Sequence, residues 1–207
     1  MLVFRAAVCI VAIAVLSACG APGPLSGLGE RSAIDIAVQS SDVSGLQRCP
    51  QSGKPDEVVK AIRDAGDIQS ADDLANRWQD ANSNGGQDGY VVGYAASVAD
   101  CVPYVFNSHE MSLPSGKIVF SFVVVFSSST QAQAAWNAGT FGGTPSQFKS
   151  FGGTVGNGTG LGDNSATIEF SGTWSAIWAK GSACAMLQTS YGPDTATQLA
   201  KTVSGRM

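Results

Sequence analysis

Residues 117–126, KIVFSFVVVF, constrain the fold of this chain more than any other stretch. β-branched and aromatic side chains fill the run, and such side chains suit the pleated surface of a strand better than a helix. Nearly every position is apolar, so we expect neither face of this strand to meet solvent. The run therefore predicts a central strand around which the rest of the chain folds.

Helical and strand patterns surround this run. Pro55 and the acidic residues behind it predict a helix that ends at Gly66, and Ser70 is the predicted cap of a second helix. Other predicted helices begin at Ser129 or Thr130 and at Pro193. The predicted strands cover residues 34–38, 90–96 and a meander of 166–170, 174–180 and 183–189. This order predicts an α+β fold: a single domain with a mostly antiparallel β-sheet backed by helices.

The composition excludes one large class of function. Charged residues make up 14% of the chain and the formal net charge is −4, whereas globular domains contain about 25% charged residues. The sequence contains no basic stripe of the kind that binds phosphate backbones. We therefore expect no nucleic-acid partner.

The N-terminus has the features of an export signal. Arg5 precedes an apolar stretch over residues 6–16, which is too short for a membrane span of about 20 residues. The segment Leu16-Ser17-Ala18-Cys19 resembles the lipobox of bacterial lipoproteins, which implies acylation of Cys19 and cleavage before it. An ordinary secretory signal with a coincidental cysteine is the alternative.

This interpretation divides the chain into three parts. Residues 1–18 are the predicted signal peptide, and residues 19–32, rich in Pro, Gly and Ser, are the predicted lipidated tether. Residues 33–207 are the predicted α+β domain. The expected location is extracytoplasmic, with the membrane as a partner through two or three acyl chains on Cys19.

Three cysteines belong to the predicted domain, so at least one of them is free if the others pair within the chain. Cys49 and Cys101 lie next to prolines where elements meet, and an oxidising compartment favours a disulfide. Cys184 lies inside a predicted strand, where a buried thiol behaves as a small hydrophobe. We predict a bridge between Cys49 and Cys101.

The glycine-rich region, residues 141–162, contains the tetrapeptide FGGT twice, at Phe141 and at Phe151. Neither the dinucleotide-binding glycine pattern nor the P-loop pattern occurs, and the predicted strand behind the region is not the helix that a phosphate site requires. We therefore interpret the region as a flexible loop, and we predict no cofactor.

Candidate catalytic and metal-binding residues are few. His109 is the only histidine, which excludes a metal site built on several histidines of one chain. No nucleophile elbow accompanies it, so an exposed loop position is the favoured interpretation. Asp72, Asp73 and Asp80 lack the spacing of a calcium loop and are interpreted as a solvated helix face.

Six aromatic residues either line an apolar ligand pocket or belong to the core, and the core interpretation is favoured for aromatic residues on strands. They are Tyr90, Tyr94, Trp136, Phe170, Trp174 and Trp178.

One resemblance covers roughly residues 117–206. Residues 160–163 (GLGD), Ser165-Ala166, the strand 174–180, a further strand and the closing helix resemble the C-terminal half of small actinobacterial-type lipoproteins. The soluble domains of these lipoproteins are similar to the extracellular sensor domain of a mycobacterial Ser/Thr kinase. The resemblance implies an α+β domain with a binding or sensing role, and it supplies no catalytic residues.

Together these patterns predict a lipid-anchored, non-enzymatic envelope protein that binds a small ligand, such as an apolar one, or an envelope protein. The alternatives are an envelope hydrolase with an unrecognised Ser or Asp site and a structural surface protein. An aromatic-lined cavity favours binding, whereas a perturbed carboxylate pair in a cleft favours hydrolysis.

Overall fold

A seven-stranded antiparallel sheet organises the residues that the computed structural model describes, which are 31–107 and 116–207. The strand order across the sheet is β1-β2-β3-β7-β6-β5-β4. The strands are β1 (Gln47–Arg48), β2 (Gly86–Ala95), β3 (Ile118–Phe126), β4 (Thr154–Val155), β5 (Ser165–Phe170), β6 (Thr173–Lys180) and β7 (Ala183–Thr189).

Helices cover both faces of this sheet. They are α1 (Ala33–Ile36), α2 (Pro55–Asp64), α3 (Ile68–Ser83), α4 (Ser129–Ala138), α5 (Pro145–Ser150) and α6 (Pro193–Ser204), with shorter helical turns between strands. The prediction of an α+β domain with a helix-backed antiparallel sheet is confirmed. Within the described ranges, no helix combines the length and the apolarity needed to cross a bilayer.

Strand β3 is central, as its sequence predicts. It pairs with β2 on one side and with β7 on the other. Phe122 points to one face and Val123 to the opposite face, and both side chains are fully buried. Strand β3 has a helical layer on each face and a neighbouring strand on each side. Side chains on both of its faces are therefore buried, which requires a continuous apolar run.

The two faces of the sheet have separate cores. The α2–α4 face, which includes Phe122 and Met186, packs against apolar residues of α2, α3 and α4. The opposite face, which includes Val123 and Trp178, packs against α1 and α6. In α6 the side chains at helical spacing face this second core, as predicted; they are Ala196, Leu199, Ala200 and Val203.

The chain crosses from the middle of the sheet to its edge through α4 and α5. It then returns as the antiparallel series β4, β5, β6 and β7, so that β7 docks beside β3. The predicted meander is confirmed, with bounds one residue longer at the starts of β5 and β6. This crossover leaves α5 against β4 and β5.

The predicted strand at residues 34–38 is wrong, because this segment begins as helix α1. The Asp35 carboxylate accepts hydrogen bonds from the Ser32 backbone at 3.3 Å and from the Ser32 hydroxyl at 2.6 Å. The Asp88 carboxylate accepts from the N–H of Ala33 at 2.7 Å. Together these carboxylates satisfy N–H groups at the start of the helix. The pattern of apolar residues at 34–38 does not reveal these hydrogen bonds.

Two predicted caps are displaced by a few residues. Helix α3 begins before Ser70, because Asp67 is its cap and accepts from the Ser70 N–H at 3.0 Å. Helix α4 is capped by Ser128, whose hydroxyl accepts from the Gln131 N–H at 3.3 Å. In both cases an earlier polar side chain reaches the free N–H groups of the first turn.

The glycine-rich region is also more ordered than predicted. Residues 141–162 include helix α5, strand β4 and a short 3₁₀ helix at Gly156–Thr159. Thr144 caps α5, and Pro145 occupies its first position, where a missing N–H has no cost. The flexible-loop interpretation is therefore wrong.

The cysteine prediction is confirmed. Cys49 and Cys101 form a disulfide across a sequence separation of 52 residues. Cys184 is a buried free thiol in β7, and it donates a hydrogen bond to the carbonyl of Ala132 at 3.1 Å.

Candidate functional site

A cleft of about 260 Å³ opens on the α2–α4 face, between the sheet and the connection that joins α4 to α5. Alternate residues of β5, β6 and β7 point to this face and form one wall of the cleft. The residues of this sheet wall are Ile168, Ser175, Ile177, Met186 and Gln188.

The opposite wall comes from helix α5 and the residues around it. The capping interaction at Thr144 orients this wall: its hydroxyl accepts from the Gln147 N–H at 3.3 Å, and its N–H donates to Gln147 Oε1 at 2.7 Å. The residues of this helical wall are Phe141, Gly142, Gly143, Gln147, Phe148 and Phe151.

The two FGGT tetrapeptides lie at the two ends of α5, and the phenylalanine of each lines the cleft. Phe141 is 1% exposed at the inner end, whereas Phe151 is 76% exposed at the mouth. Gly142 and Gly152 both have positive φ angles, of 114° and 85°. The repeated tetrapeptide was therefore a visible signal of this site, although two copies do not establish a repeat architecture.

Arg77 of α3 provides a charged group at the inner end of the cleft. Its Nη1 donates to the carbonyl of Phe141 at 3.1 Å and approaches the Sδ of Met186 at 3.3 Å. Both partners belong to buried residues. The guanidinium is therefore positioned between strand β7 and the α4–α5 connection.

Two opposing effects act on the charge of Arg77. Desolvation by burial lowers the pKa of its guanidinium, and the carboxylate of Asp73, one turn earlier on α3, raises it. An arginine remains protonated in proteins at neutral pH. The cleft therefore contains a partly desolvated cation whose charge is partly offset by one acidic neighbour.

Gly142 allows the backbone to approach this cation closely. A Cβ atom at Gly142 would lie 2.8 Å from Nη1 of Arg77, and the φ angle of 114° is one that other residues rarely adopt. A larger residue there would be strained and would displace the guanidinium. The first FGGT tetrapeptide thus shapes the inner end of the cleft.

The six aromatic residues chosen from the sequence do not line this cleft. Tyr94, Trp136, Trp174 and Trp178 are buried in the two cores, as the core interpretation predicts. Tyr90 is half-buried, and its hydroxyl accepts from Arg48 at 2.5 Å. Phe170 is 66% exposed and belongs to neither core.

The other candidate residues lie elsewhere. Cys19 and His109 are outside the described residues. On α3, Asp72 and Asp80 are exposed, as expected for a solvated face, and Asp72 pairs with Arg63 at 2.6 Å. Within residues 31–107 and 116–207, no group of three His, Cys, Asp or Glu side chains is placed to hold a metal ion.

The lining favours recognition of a molecule with an apolar body and a polar end. Six of the twelve described lining residues have apolar side chains, and one cation, two amides and one hydroxyl supply the side-chain polar groups. Small-molecule sites commonly combine apolar walls with a few convergent polar groups. Comparisons with protein-family models, with curated proteins and with solved structures found no match for this chain.

Proposed function

We propose that this protein is a lipid-anchored envelope protein whose domain binds a small, largely apolar ligand in the cleft. The lipobox-like segment ending at Cys19 supports the anchor and the extracytoplasmic location. The cleft between the sheet and α5 carries the binding hypothesis, because Phe151 presents a large apolar side chain to solvent at its mouth. Exposed aromatic side chains beside a concave surface are typical of binding sites.

The chemistry of the lining supports binding better than hydrolysis. Among the described residues that line the cleft, Ser175 supplies the hydroxyl, and no carboxylate, imidazole or thiol accompanies it. A serine nucleophile requires an adjacent base within hydrogen-bonding reach. The proposal therefore assigns recognition to this cleft and no bond-breaking step.

The test uses the full chain in lipid nanodiscs, with empty nanodiscs as the blank. The probe is 4-phenylbutanamide, a neutral molecule with an aromatic ring, a short chain and a polar end. Saturation-transfer NMR should detect its binding, and the recovered probe should be chemically unchanged. A cleaved probe would favour the hydrolase alternative, and the absence of binding would favour a structural surface protein.

Two phenylalanine variants form a matched pair. Phe151 and Phe170 are both largely exposed, but Phe151 lines the cleft and Phe170 does not. We expect Phe151→Ala to weaken probe binding by about fivefold, which corresponds to roughly 1 kcal/mol of lost apolar contact. Phe170→Ala should bind as the wild type does.

A third variant tests the cleft itself. Ser175 lies on the sheet wall, and tryptophan at this position would occupy the open volume. Ser175→Trp should therefore abolish probe binding while the protein keeps a cooperative melting transition. Undiminished binding in this folded variant would contradict the proposed location.

A further inference from the structure

The charge of the cleft indicates what kind of polar end its ligand has. Arg77 is the one charged side chain among the described residues that line it. The two contacts of its Nη1 atom use neutral acceptors, a carbonyl oxygen and a thioether sulfur. Asp73 offsets the cation electrostatically, but it does not line the cleft.

Neighbouring groups also favour an acceptor in the ligand. Gln147 uses its Oε1 atom to accept from the Thr144 N–H at 2.7 Å, so the group that it can offer a ligand is the amide N–H. Ser175 on the facing strand adds a hydroxyl to the same lining. Gln188 of β7 adds a second amide, which can both donate and accept. One arginine, two amides and one hydroxyl, with no carboxylate among the described lining residues, match a carboxylate better than they match an ammonium group.

The apolar part of the lining defines the rest of the ligand. Phe141, Phe148 and Ile177 are buried or nearly so, and Phe151 extends the apolar wall to the mouth. The volume of about 260 Å³ is slightly below the range of roughly 300–1,000 Å³ that is common for small-molecule sites. The cleft therefore suits a short aromatic or aliphatic body, or the end of a longer one.

We infer that the cleft binds amphipathic carboxylates, with the carboxylate on the Arg77 guanidinium and the apolar body between Phe141, Phe148 and Phe151. This inference rests on the proposed function and specifies its ligand class. A guanidinium can hold a carboxylate through two parallel N–H···O bonds, and such bonds strengthen where water is excluded. The apolar walls supply that exclusion.

The test compares two probes that differ in charge and little in shape, 4-phenylbutyrate and 4-phenylbutanamide. A charge-assisted hydrogen bond improves affinity by roughly 10- to 100-fold. Because Asp73 offsets part of the charge, we expect the wild-type chain in nanodiscs to bind the carboxylate about tenfold more tightly than the amide. This preference should diminish as the salt concentration rises.

Two variants with the same change in net charge separate local binding from long-range attraction. Arg77→Met should remove the preference for the carboxylate, so that this variant binds the two probes with equal affinity. Lys149→Met changes an exposed lysine of α5 that does not line the cleft, and it should keep the tenfold preference.

Each result has a distinct meaning. Equal binding of both probes by the wild type would overturn the carboxylate inference while the proposed function stands, whereas failure of both probes would overturn the proposed function as well. If Arg77→Met kept the tenfold preference for the carboxylate, the assignment of the carboxylate to Arg77 would be wrong. Loss of the preference in Lys149→Met would show that general electrostatic attraction, and not a specific contact with Arg77, causes the preference.

Discussion

The disulfide between Cys49 and Cys101 should contribute a large part of the stability of this domain. Both cysteines are fully buried, and the bridge joins the end of β1 to the turn that follows β2. Between them lie α2, α3 and β2. The perturbation is the double variant Cys49→Ala and Cys101→Ala, which removes the bridge without leaving one of its two cysteines as a new free thiol.

The size of the effect follows from the length of chain that the bridge closes. A separation of 52 residues gives a loop-closure contribution of about 4 kcal/mol to the free energy of unfolding. Globular domains have total unfolding free energies of about 5–15 kcal/mol. We therefore expect the double variant to lose about a quarter or more of its stability, with α2 and α3 held to the sheet by packing alone.

Urea denaturation followed by tryptophan fluorescence measures this loss. With a slope of about 2 kcal/mol per molar urea, the midpoint should fall by about 2 M. Reduction of the wild-type protein should produce a similar fall, and reductant should not affect the double variant. An unchanged midpoint, or a bridge to Cys184 in non-reducing peptide maps, would refute the reasoning.

Three further predictions test a thiol, a hydroxyl and the anchor. Burial raises the pKa of the Cys184 thiol from 9.0 to about 12, so the unfolded chain loses this proton first as the pH rises. The free energy of unfolding should therefore fall by about 1.4 kcal/mol per pH unit between those two values. In urea titrations at each pH, Cys184→Ala should lack this part of the decline. An identical decline in the variant would contradict the prediction. The buried Ser121 hydroxyl has no hydrogen-bond partner among the described residues, so Ser121→Ala should raise the unfolding free energy by about 1 kcal/mol, and a lower urea midpoint would argue against that cost. Mass spectrometry of the mature protein should find an acylated N-terminal Cys19, whereas a mature chain that starts elsewhere without acyl chains would exclude the lipobox interpretation.

The elements whose sequence signal lies within a few consecutive residues were predictable. The β3 run, the meander and the apolar stripe of α6 each carry the periodicity of their own structure, and tertiary packing then favours the same conformation. The disulfide was predictable from the expected compartment and from the positions of Cys49 and Cys101 beside element ends.

Other elements depend on distant groups. Helix α1 is stabilised by the Asp88 carboxylate, which accepts from the N–H of Ala33 across 55 residues. In the glycine-rich region, α5 has a local capping signal at Thr144, which the sequence interpretation did not use. Helix propensity is a weak guide to a short helix that gains its stability from packing. In α5, Phe148 provides this packing, because its side chain belongs to the core of the α2–α4 face.

The sequence by itself determined strand β3, the meander, helix α6 and the disulfide, and it supports the expectation of an anchor, because each depends on local patterns or on the chemistry of the expected compartment. Only the tertiary structure decided that Arg77 lies beside Phe141, from which it is separated by 64 residues. The antiparallel return of β5, β6 and β7 places Ile168, Ser175 and Met186 on the facing wall. The FGGT repeat marks two phenylalanines in the sequence, but the arginine has no distinguishing local pattern. These residues become a candidate site only through packing across the crossover from β3 to the sheet edge.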